Sequence, residues 1–221
     1  CRNMADIRWY GHNCFRIRAK EGAIVTDPLD RKTGYALGAK LAADLVTVSH
    51  DHPGHVNLTA VKDEYALIDS PGEYEIHEIF VYGYRSYHDA NRGADHGYNT
   101  IYVIEVENMR IAHLGDLGHD LTPELTDAID NIDVLLIPVG GGEGIISPEI
   151  AAKIVGHIEP DIVIPMQFAT DKGDKDLAPI DTFAQHLGMD LPEPVDKITF
   201  KSSDLVDAMT FVLLNPTAES A

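Results

Sequence analysis

The sequence is poor in cysteine and has no long apolar run. With only Cys1 and Cys14 among 221 residues it cannot build a disulfide framework, so we expect a reducing environment, the cytoplasm. No apolar run approaches the roughly 20 residues that cross a bilayer, and we expect no signal peptide because an apolar N-terminal core is missing. These absences argue against disulfide-rich secreted scaffolds and helical membrane proteins.

Basic residues are also scarce. The chain has 17 Lys and Arg against 36 Asp and Glu, which gives a formal net charge of −19. A surface that binds nucleic acid or an anionic membrane needs clustered basic residues, so we expect neither partner and disfavour a nuclease. The partner we expect is a small-molecule substrate, and a homo-oligomer is compatible with the sequence.

The composition allows a substantial core. Hydrophobic residues make up 44% of the chain, and no low-complexity linker or short repeat interrupts it. We therefore predict one domain over residues 4–217, built from two αβ halves.

The first half of the chain has the character of β-strands. Runs rich in β-branched and aromatic residues are bounded by Gly and Pro, which is typical of strands. The predicted strands cover residues 7–10, 14–19, 23–26, 44–48, 66–68 and 79–87, and then a hairpin over 99–106 and 109–113.

The second half alternates helix and strand. Thr122-Pro-Glu and Ser147-Pro-Glu each combine an N-cap with Pro at the first helical position, and a short helix is predicted over 179–187. Continuous apolar runs predict buried strands over 134–138, 162–165 and 211–214. Antiparallel strands followed by β-α alternation predict an α+β fold with two sheets packed face to face and helices outside.

The most specific motif is a histidine triple. His50, His52 and His55 stand at i, i+2 and i+5 in the segment His-Asp-His-Pro-Gly-His, directly after an apolar run. Residues i and i+2 do not share a helix face, and Pro53 and Gly54 break regular structure. A strand that ends in a tight loop would let the imidazoles converge on a metal. The alternative is an exposed polar loop that happens to contain histidines.

Three further candidates follow predicted strands. His88 comes after the 79–87 run, Asp116 follows a strand and Gly115, and Gln167 follows an Ile-Val-Ile-Pro-Met run. Gly115 allows a sharp turn that would expose the carboxylate. Zinc and related ions prefer imidazole nitrogen and carboxylate oxygen, so His50, His52, His88 and Asp116 would supply three nitrogens and one oxygen.

The order of these motifs resembles the metallo-β-lactamase superfamily. The resemblance rests on His-Asp-His-Pro-Gly-His, His88, His-Leu-Gly-Asp-Leu-Gly-His ending at His119, and Ile-Pro-Met-Gln-Phe-Ala-Thr, over residues 7–170. The sequence is most similar to its small prokaryotic hydrolase-like branch, related to the ascorbate-6-phosphate-lactonase type. This resemblance implies an αββα four-layer sandwich with metal bound at the sheet edges.

The sequence departs from the family pattern at two positions. The family usually has Asp where this chain has Gly54, and His where it has Gln167. By resemblance the first metal site is intact, with His50, His52, His88 and a bridging Asp116 that is the candidate catalytic residue. Of the second site only His55 and Asp116 remain. A two-ligand site binds weakly, so we expect one tightly held ion, zinc with manganese or iron as alternatives.

Other polar residues are candidates for support of the ligands or for substrate binding. His113 and His119 flank Asp116, and their alternative is direct ligation. The resemblance places His12 and Asp27 near the site floor, although a loop hydrogen bond and an Asp-Pro turn explain them equally well. Glu73 is a candidate general base, with a solvated turn as the alternative.

Two functions follow from this interpretation. The first is a metal-dependent hydrolase of a small-molecule ester, lactone or phosphodiester that uses a mainly mononuclear site. The second is a catalytically silent metal- or ligand-binding member of the same superfamily, because Gly54 and Gln167 replace ligands of the second site.

Overall fold

The computed structural model describes residues 4–51, 56–205, 208–217 and 219–220. Two β-sheets form most of the structure. The first has six strands in the order β13-β1-β2-β3-β5-β6. These are β1 (Ala5–Gly11), β2 (Cys14–Arg18), β3 (Ala23–Thr26), β5 (Leu45–Thr47), β6 (Ala66–Ile68) and β13 (Ile198–Phe200). Strands β1 to β3 are antiparallel, whereas β3, β5 and β6 are parallel.

The second sheet has seven strands in the order β14-β12-β11-β10-β9-β8-β7. They are β7 (Gly72–Ile76), β8 (Ile79–Tyr87), β9 (Tyr98–Val106), β10 (Met109–His113), β11 (Val134–Pro138), β12 (Ile162–Met166) and β14 (Thr210–Phe211). Strands β7 to β10 form an antiparallel meander, and β10, β11, β12 and β14 run parallel. A short pair, β4 (Tyr35–Ala36) and β15 (Glu219–Ser220), stands apart from both sheets.

Within the described residues, three α-helices accompany the parallel part of the second sheet: α1 (Pro123–Ala128), α2 (Pro148–Ile158) and α3 (Ile180–Leu187). The Thr122 hydroxyl accepts from the Leu125 amide, and the Ser147 hydroxyl accepts from the Ile150 amide, so both predicted caps form. Helix α2 packs Ile154 and Val155 into the core. No described helix is both long and apolar enough to cross a membrane.

One apolar core joins the two sheets. Ile7, Ile17 and Ile24 of the first sheet belong to the same buried cluster as Val81 and Ile104 of the second. Burial of this apolar surface is the main favourable term that holds the layers together. The structure confirms the predicted α+β sandwich.

The sequence patterns missed four strands, β4, β7, β13 and β15, and overextended one. Strand β7 alternates half-buried and exposed residues at the edge of its sheet, and therefore lacks a continuous apolar signal. The predicted 211–214 strand pairs with β12 only through Thr210 and Phe211. The chain then turns away, because Leu213 and Leu214 pair instead with Val195.

Candidate metal centre

Three predicted ligands, His50, His88 and Asp116, lie together in the folded chain. The Nε2 atom of His88 is 2.9 Å from Oδ2 of Asp116, and the Nε2 atom of His50 is 3.3 Å from the same oxygen. One donor atom from each of the three residues lies within 4.8 Å of the others. All three side chains are buried.

The two sheets deliver these ligands from strand ends. His50 follows β5 of the first sheet, whereas His88 follows β8 and Asp116 follows β10 of the second. Gly115 has φ +58°, and a Cβ there would lie 2.4 Å from Oδ1 of Asn99. A glycine is therefore required for the sharp turn that directs Asp116 inward.

The outer ring nitrogens of both histidines are held by hydrogen bonds. Nδ1 of His88 donates to the carbonyl of Gly144 at 2.9 Å, and Nδ1 of His50 lies 2.9 Å from the Ser49 hydroxyl. Metal-binding imidazoles commonly use this arrangement, because it fixes the tautomer and the ring orientation. It leaves the two Nε2 atoms facing the shared space beside Asp116, where each can donate a proton to the carboxylate or, once deprotonated, bind a metal.

The donor set fits a transition-metal ion. Ligand atoms about 2.1 Å from a tetrahedral zinc stand roughly 3.4 Å apart. The 3.3 Å and 2.9 Å separations between imidazole nitrogen and carboxylate oxygen are close to that spacing. Two imidazole nitrogens and one carboxylate oxygen are also the ligand types that zinc, manganese and iron accept.

The second oxygen of Asp116 is already engaged. Its Oδ1 accepts a short hydrogen bond from Nδ2 of Asn13 and a 2.9 Å bond from Nε2 of Gln167. The backbone amide of Asp116 donates to Oδ1 of Asn99 at 3.0 Å. Burial opposes ionisation, but the neighbouring His50 and His88 outweigh it and hold the pKa of Asp116 well below its usual range.

His12 extends this network on one side. Nε2 of Gln167 lies 3.3 Å from Nε2 of His12, and Nδ1 of His12 is 3.1 Å from Oδ1 of Asp174. His12 and Asp174 are both nearly fully enclosed. The predicted proximity of His12 and Gln167 to Asp116 is therefore present in the structure.

Asp27 and His113 form hydrogen bonds with Ser49 and Asn13, the residues that contact His50 and Asp116. Asp27 accepts from the Ser49 amide at 2.7 Å and from the Ser49 hydroxyl at 2.6 Å. Burial raises the pKa of Asp27 to about 7 although these bonds oppose the increase. Nε2 of His113 donates to the Asn13 carbonyl at 3.0 Å, and burial lowers the pKa of His113 to about 4, so that its imidazole is neutral.

Three of these supporting residues adopt a left-handed backbone directly after a strand. His12 follows β1 with φ 48°, Asp27 follows β3 with φ 36°, and Gln167 follows β12 with φ 50°. Such conformations cost about 1–3 kcal/mol each in non-glycine residues and concentrate at functional sites. All three residues therefore leave their strands through a sharp turn, which places their side chains at the strand ends.

Other sequence candidates lie apart or outside the described residues. His119 accepts from the Tyr87 amide at 3.1 Å and bonds the Asp120 carbonyl at 2.6 Å, so it secures the backbone beside His88. Glu73 is exposed on the edge strand β7, and among the described residues no hydrogen bond or ion pair joins it to the cluster. His52, Gly54 and His55 lie outside the described residues.

Sequence reasoning missed several supporting groups: Asn13, Ser49, Asn99, Gly144 and Asp174. Ser49 lies beside His50 in the sequence, and this adjacency is the signal that could have indicated it. Asn13 and Asn99 lie in the segments Gly-His-Asn-Cys-Phe and Asn-Thr-Ile-Tyr-Val-Ile-Glu, which also resemble the superfamily branch, whereas Asp174 lies in no such segment.

A cavity of about 310 Å³ opens beside His50. Its lining includes Ser49, Asn99, Thr100, Arg85 and His96. The ring of His96 lies 5.4 Å from the ring of His88, between centroids. The cluster is therefore reached through a polar cavity of the size that small molecules occupy.

Comparison with known proteins gives a consistent result. The family model of the beta-lactamase superfamily domain matches residues 6–167. A UPF0173 protein of Pyrococcus furiosus is 29% identical, over 74% of this chain and 83% of that protein. A UPF0173 metal-dependent hydrolase of Caldivirga maquilingensis is 27% identical, over 76% of this chain and 83% of that protein.

The solved structures agree. A member of the metallo-β-lactamase superfamily from Thermotoga maritima superposes with a TM-score of 0.77 and 32% identity, covering 96% of this chain and 98% of that chain. With the family model matching most of the chain, and with the strand ends of two packed sheets meeting at His50, His88 and Asp116, the chain belongs to the metallo-β-lactamase superfamily.

Proposed function

We propose that this chain is a metal-dependent hydrolase of a small-molecule ester, lactone or phosphodiester with a mainly mononuclear site. His50, His88 and Asp116 would hold the ion, with His52 as the fourth ligand that the sequence predicts. Zinc is the expected ion, and manganese and iron are the alternatives. The proposal is carried by the convergence of two imidazole Nε2 atoms on one buried carboxylate oxygen.

Hydrogen bonds from the surrounding residues hold the proposed ligands His50, His88 and Asp116 in a fixed orientation. A bound divalent ion supplies Lewis acidity, which lowers the pKa of water and polarises the scissile group. Asn13 and Gln167 fix the plane of the Asp116 carboxylate by donating to its Oδ1. Ser49 and Gly144 hold the two imidazole rings in the orientation that presents Nε2. The site is thus preorganised by hydrogen bonds that do not involve the substrate.

The contacts of Asp116 support a single ion. A carboxylate that bridges two metals through both of its oxygens would need Oδ1 as a ligand, but here Oδ1 accepts two amide hydrogens. An ion at Oδ1 would have to displace at least one of these donors. Gly54 and Gln167 also remove two ligands that the family uses for a second metal.

The direct test is metal analysis of protein purified without chelator. We expect about one equivalent of transition metal per chain, because three enclosed ligands and a predicted fourth form one complete site. The His88→Ala variant should lose the metal and any hydrolysis of ester and phosphodiester substrates. The control is His157→Ala, which removes an exposed histidine from α2. Less than about a tenth of an equivalent in the unmodified protein would reject the proposal.

A catalytically silent protein is the second candidate. The observation that favours it is the Gln167 amide, which donates to Asp116 at the position where the family has a metal-binding His. Restoring the family pattern with Gly54→Asp and Gln167→His distinguishes the two candidates. Hydrolysis that appears only in the double variant would support the silent protein, whereas comparable rates in both would support a mononuclear hydrolase.

A further inference from the structure

Arg85 is a cationic side chain without a carboxylate partner in the described part of the chain. Its guanidinium carbon lies 4.7 Å from the ring centroid of Tyr98. Arg8 and Arg110, in contrast, form ion pairs with Asp and Glu. The protein carries a net charge of −19. An arginine whose flat face stacks on an aromatic ring still has its in-plane N–H donors available to bind an anion.

The sheet places Arg85 beside the metal centre. Arg85 on β8 pairs in register with Thr100 on β9. The backbone amide of Thr100 donates to the carbonyl of Ser49 at 2.7 Å, and Ser49 precedes His50. Arg85, Thr100 and His50 line the same cavity of about 310 Å³. A small molecule in this cavity can therefore contact both the guanidinium of Arg85 and His50, a proposed metal ligand.

The guanidinium stacks on Tyr98, whose ring is 61% exposed but packs against neighbouring rings. The Tyr98 ring lies 5.9 Å from that of Tyr87, which in turn lies 5.6 Å from His119. Tyr87 and Tyr98 are paired residues of adjacent strands. A cation ordered in this way loses less side-chain freedom when it binds an anion, and bidentate pairing with a carboxylate or phosphate is its strongest mode.

Two carboxylates in the cavity wall do not neutralise Arg85. Asp51 and Asp69 line the cavity but both are exposed, and neither forms an ion pair with the guanidinium. Solvent screens exposed charges strongly. Arg85 is exposed as well, so its preference for an anion must come from direct bidentate contact rather than from attraction at a distance.

We propose that Arg85 binds an oxyanion of the substrate, so that the molecule hydrolysed at this centre carries a carboxylate or phosphate group. This inference names the substrate class and rests on the proposed hydrolase function. Arg85 would select the substrate and orient its scissile bond toward His50, while the ligands carry the chemistry.

Binding and turnover test the inference separately. Succinate and inorganic phosphate, which distinguish the two sources of oxyanion, are titrated calorimetrically into metal-loaded protein. We expect Arg85→Gln to lower the affinity for the tighter-binding anion about 10-fold. Arg85→Lys should lower it less, because lysine keeps the positive charge but lacks the paired N–H donors of the guanidinium. The matched control is Arg18→Gln, which removes an exposed arginine from β2 of the other sheet.

The turnover arm compares 4-nitrophenyl hemisuccinate with 4-nitrophenyl acetate. We expect the ratio of kcat/KM for the charged over the neutral ester to fall about 10-fold in Arg85→Gln and to stay unchanged in Arg18→Gln. Equal losses in both variants, or no anion binding to the unmodified protein, would overturn the inference.

The two proposals fail in different ways. If neither ester is hydrolysed while anion binding still depends on Arg85, the hydrolase proposal fails and the anion site stands. If both esters are hydrolysed with a ratio that Arg85→Gln does not change, the hydrolase stands and the anion site fails.

Discussion

The side-chain amide of Gln167 donates to Oδ1 of Asp116 at 2.9 Å, on the opposite side of the carboxylate from the oxygen that faces His50 and His88. Gln167 therefore orients Asp116, a candidate ligand, from the position where the superfamily usually has a metal-binding histidine. The same carboxylate thereby has one oxygen for hydrogen bonds and one for a metal. This division of the two oxygens supports the single-ion site that we propose.

Replacing Gln167 with Met should destabilise the metal-free protein. The substitution keeps the length of the side chain but removes a donor to a buried, ionised carboxylate, which costs about 1–3 kcal/mol. The free energy of unfolding would be measured by urea titration in the presence of a chelator. The control is Gln185→Met on the exposed face of α3. Equal free energies of unfolding for the two variants would show that the hydrogen bond from Gln167 to Asp116 does not contribute to stability.

The Gly144→Ala variant should weaken metal binding. Gly144 has φ +78°, and a Cβ there would lie 2.6 Å from Nδ1 of His88. The loop must therefore shift, and the hydrogen bond that orients His88 is lost, which we expect to reduce affinity about 10- to 100-fold. Competition with a chromophoric chelator would measure the change.

The matched control for that variant is Gly156→Ala. Gly156 lies within α2, and a Cβ there meets nothing within 4 Å. Because alanine favours a helix, we expect about 0.5–1 kcal/mol of added stability and no change in metal affinity. If Gly144→Ala binds the metal as tightly as the unmodified protein, the carbonyl of Gly144 does not contribute to orienting His88.

The Ser49→Ala variant should also lower metal affinity. It deletes a hydroxyl that links Asp27 to Nδ1 of His50. Without that link the ring of His50 is less well oriented, and we expect about a 10-fold weaker site with little change in backbone structure. Ser70→Ala, which removes an exposed hydroxyl near Tyr74, serves as the control. The measurement is the chelator competition, and a loss in Ser70→Ala as large as that in Ser49→Ala would contradict the assignment.

Cys14 should be inert in the folded protein. Burial raises the pKa of its thiol to about 12, so that roughly one molecule in ten thousand carries the reactive thiolate at pH 8. Peptide mass spectrometry after iodoacetamide treatment should find Cys14 unlabelled in buffer and labelled in concentrated urea. Labelling in buffer at the rate of an unfolded peptide would show that the β2 region opens readily.

The strand and helix patterns predicted most of the fold. Apolar runs at 134–138 and 162–165 and the capped helix starts after Thr122 and Ser147 correspond to observed elements. The edge strand β7 was missed because partial exposure removes the apolar signal. The resemblance to the superfamily is confirmed by the family match.

The sequence by itself determined the order of the motifs, and with it the superfamily and the candidate ligands His50, His88 and Asp116. The tertiary structure decided which atoms of these residues face one another and what holds them. Asn13 and Gln167 stand 103 and 51 positions from Asp116 along the chain, yet both donate to its Oδ1. Such contacts depend on how two sheets pack and on left-handed residues at strand ends. Local periodicity encodes neither, because it reports only which face of an element is apolar.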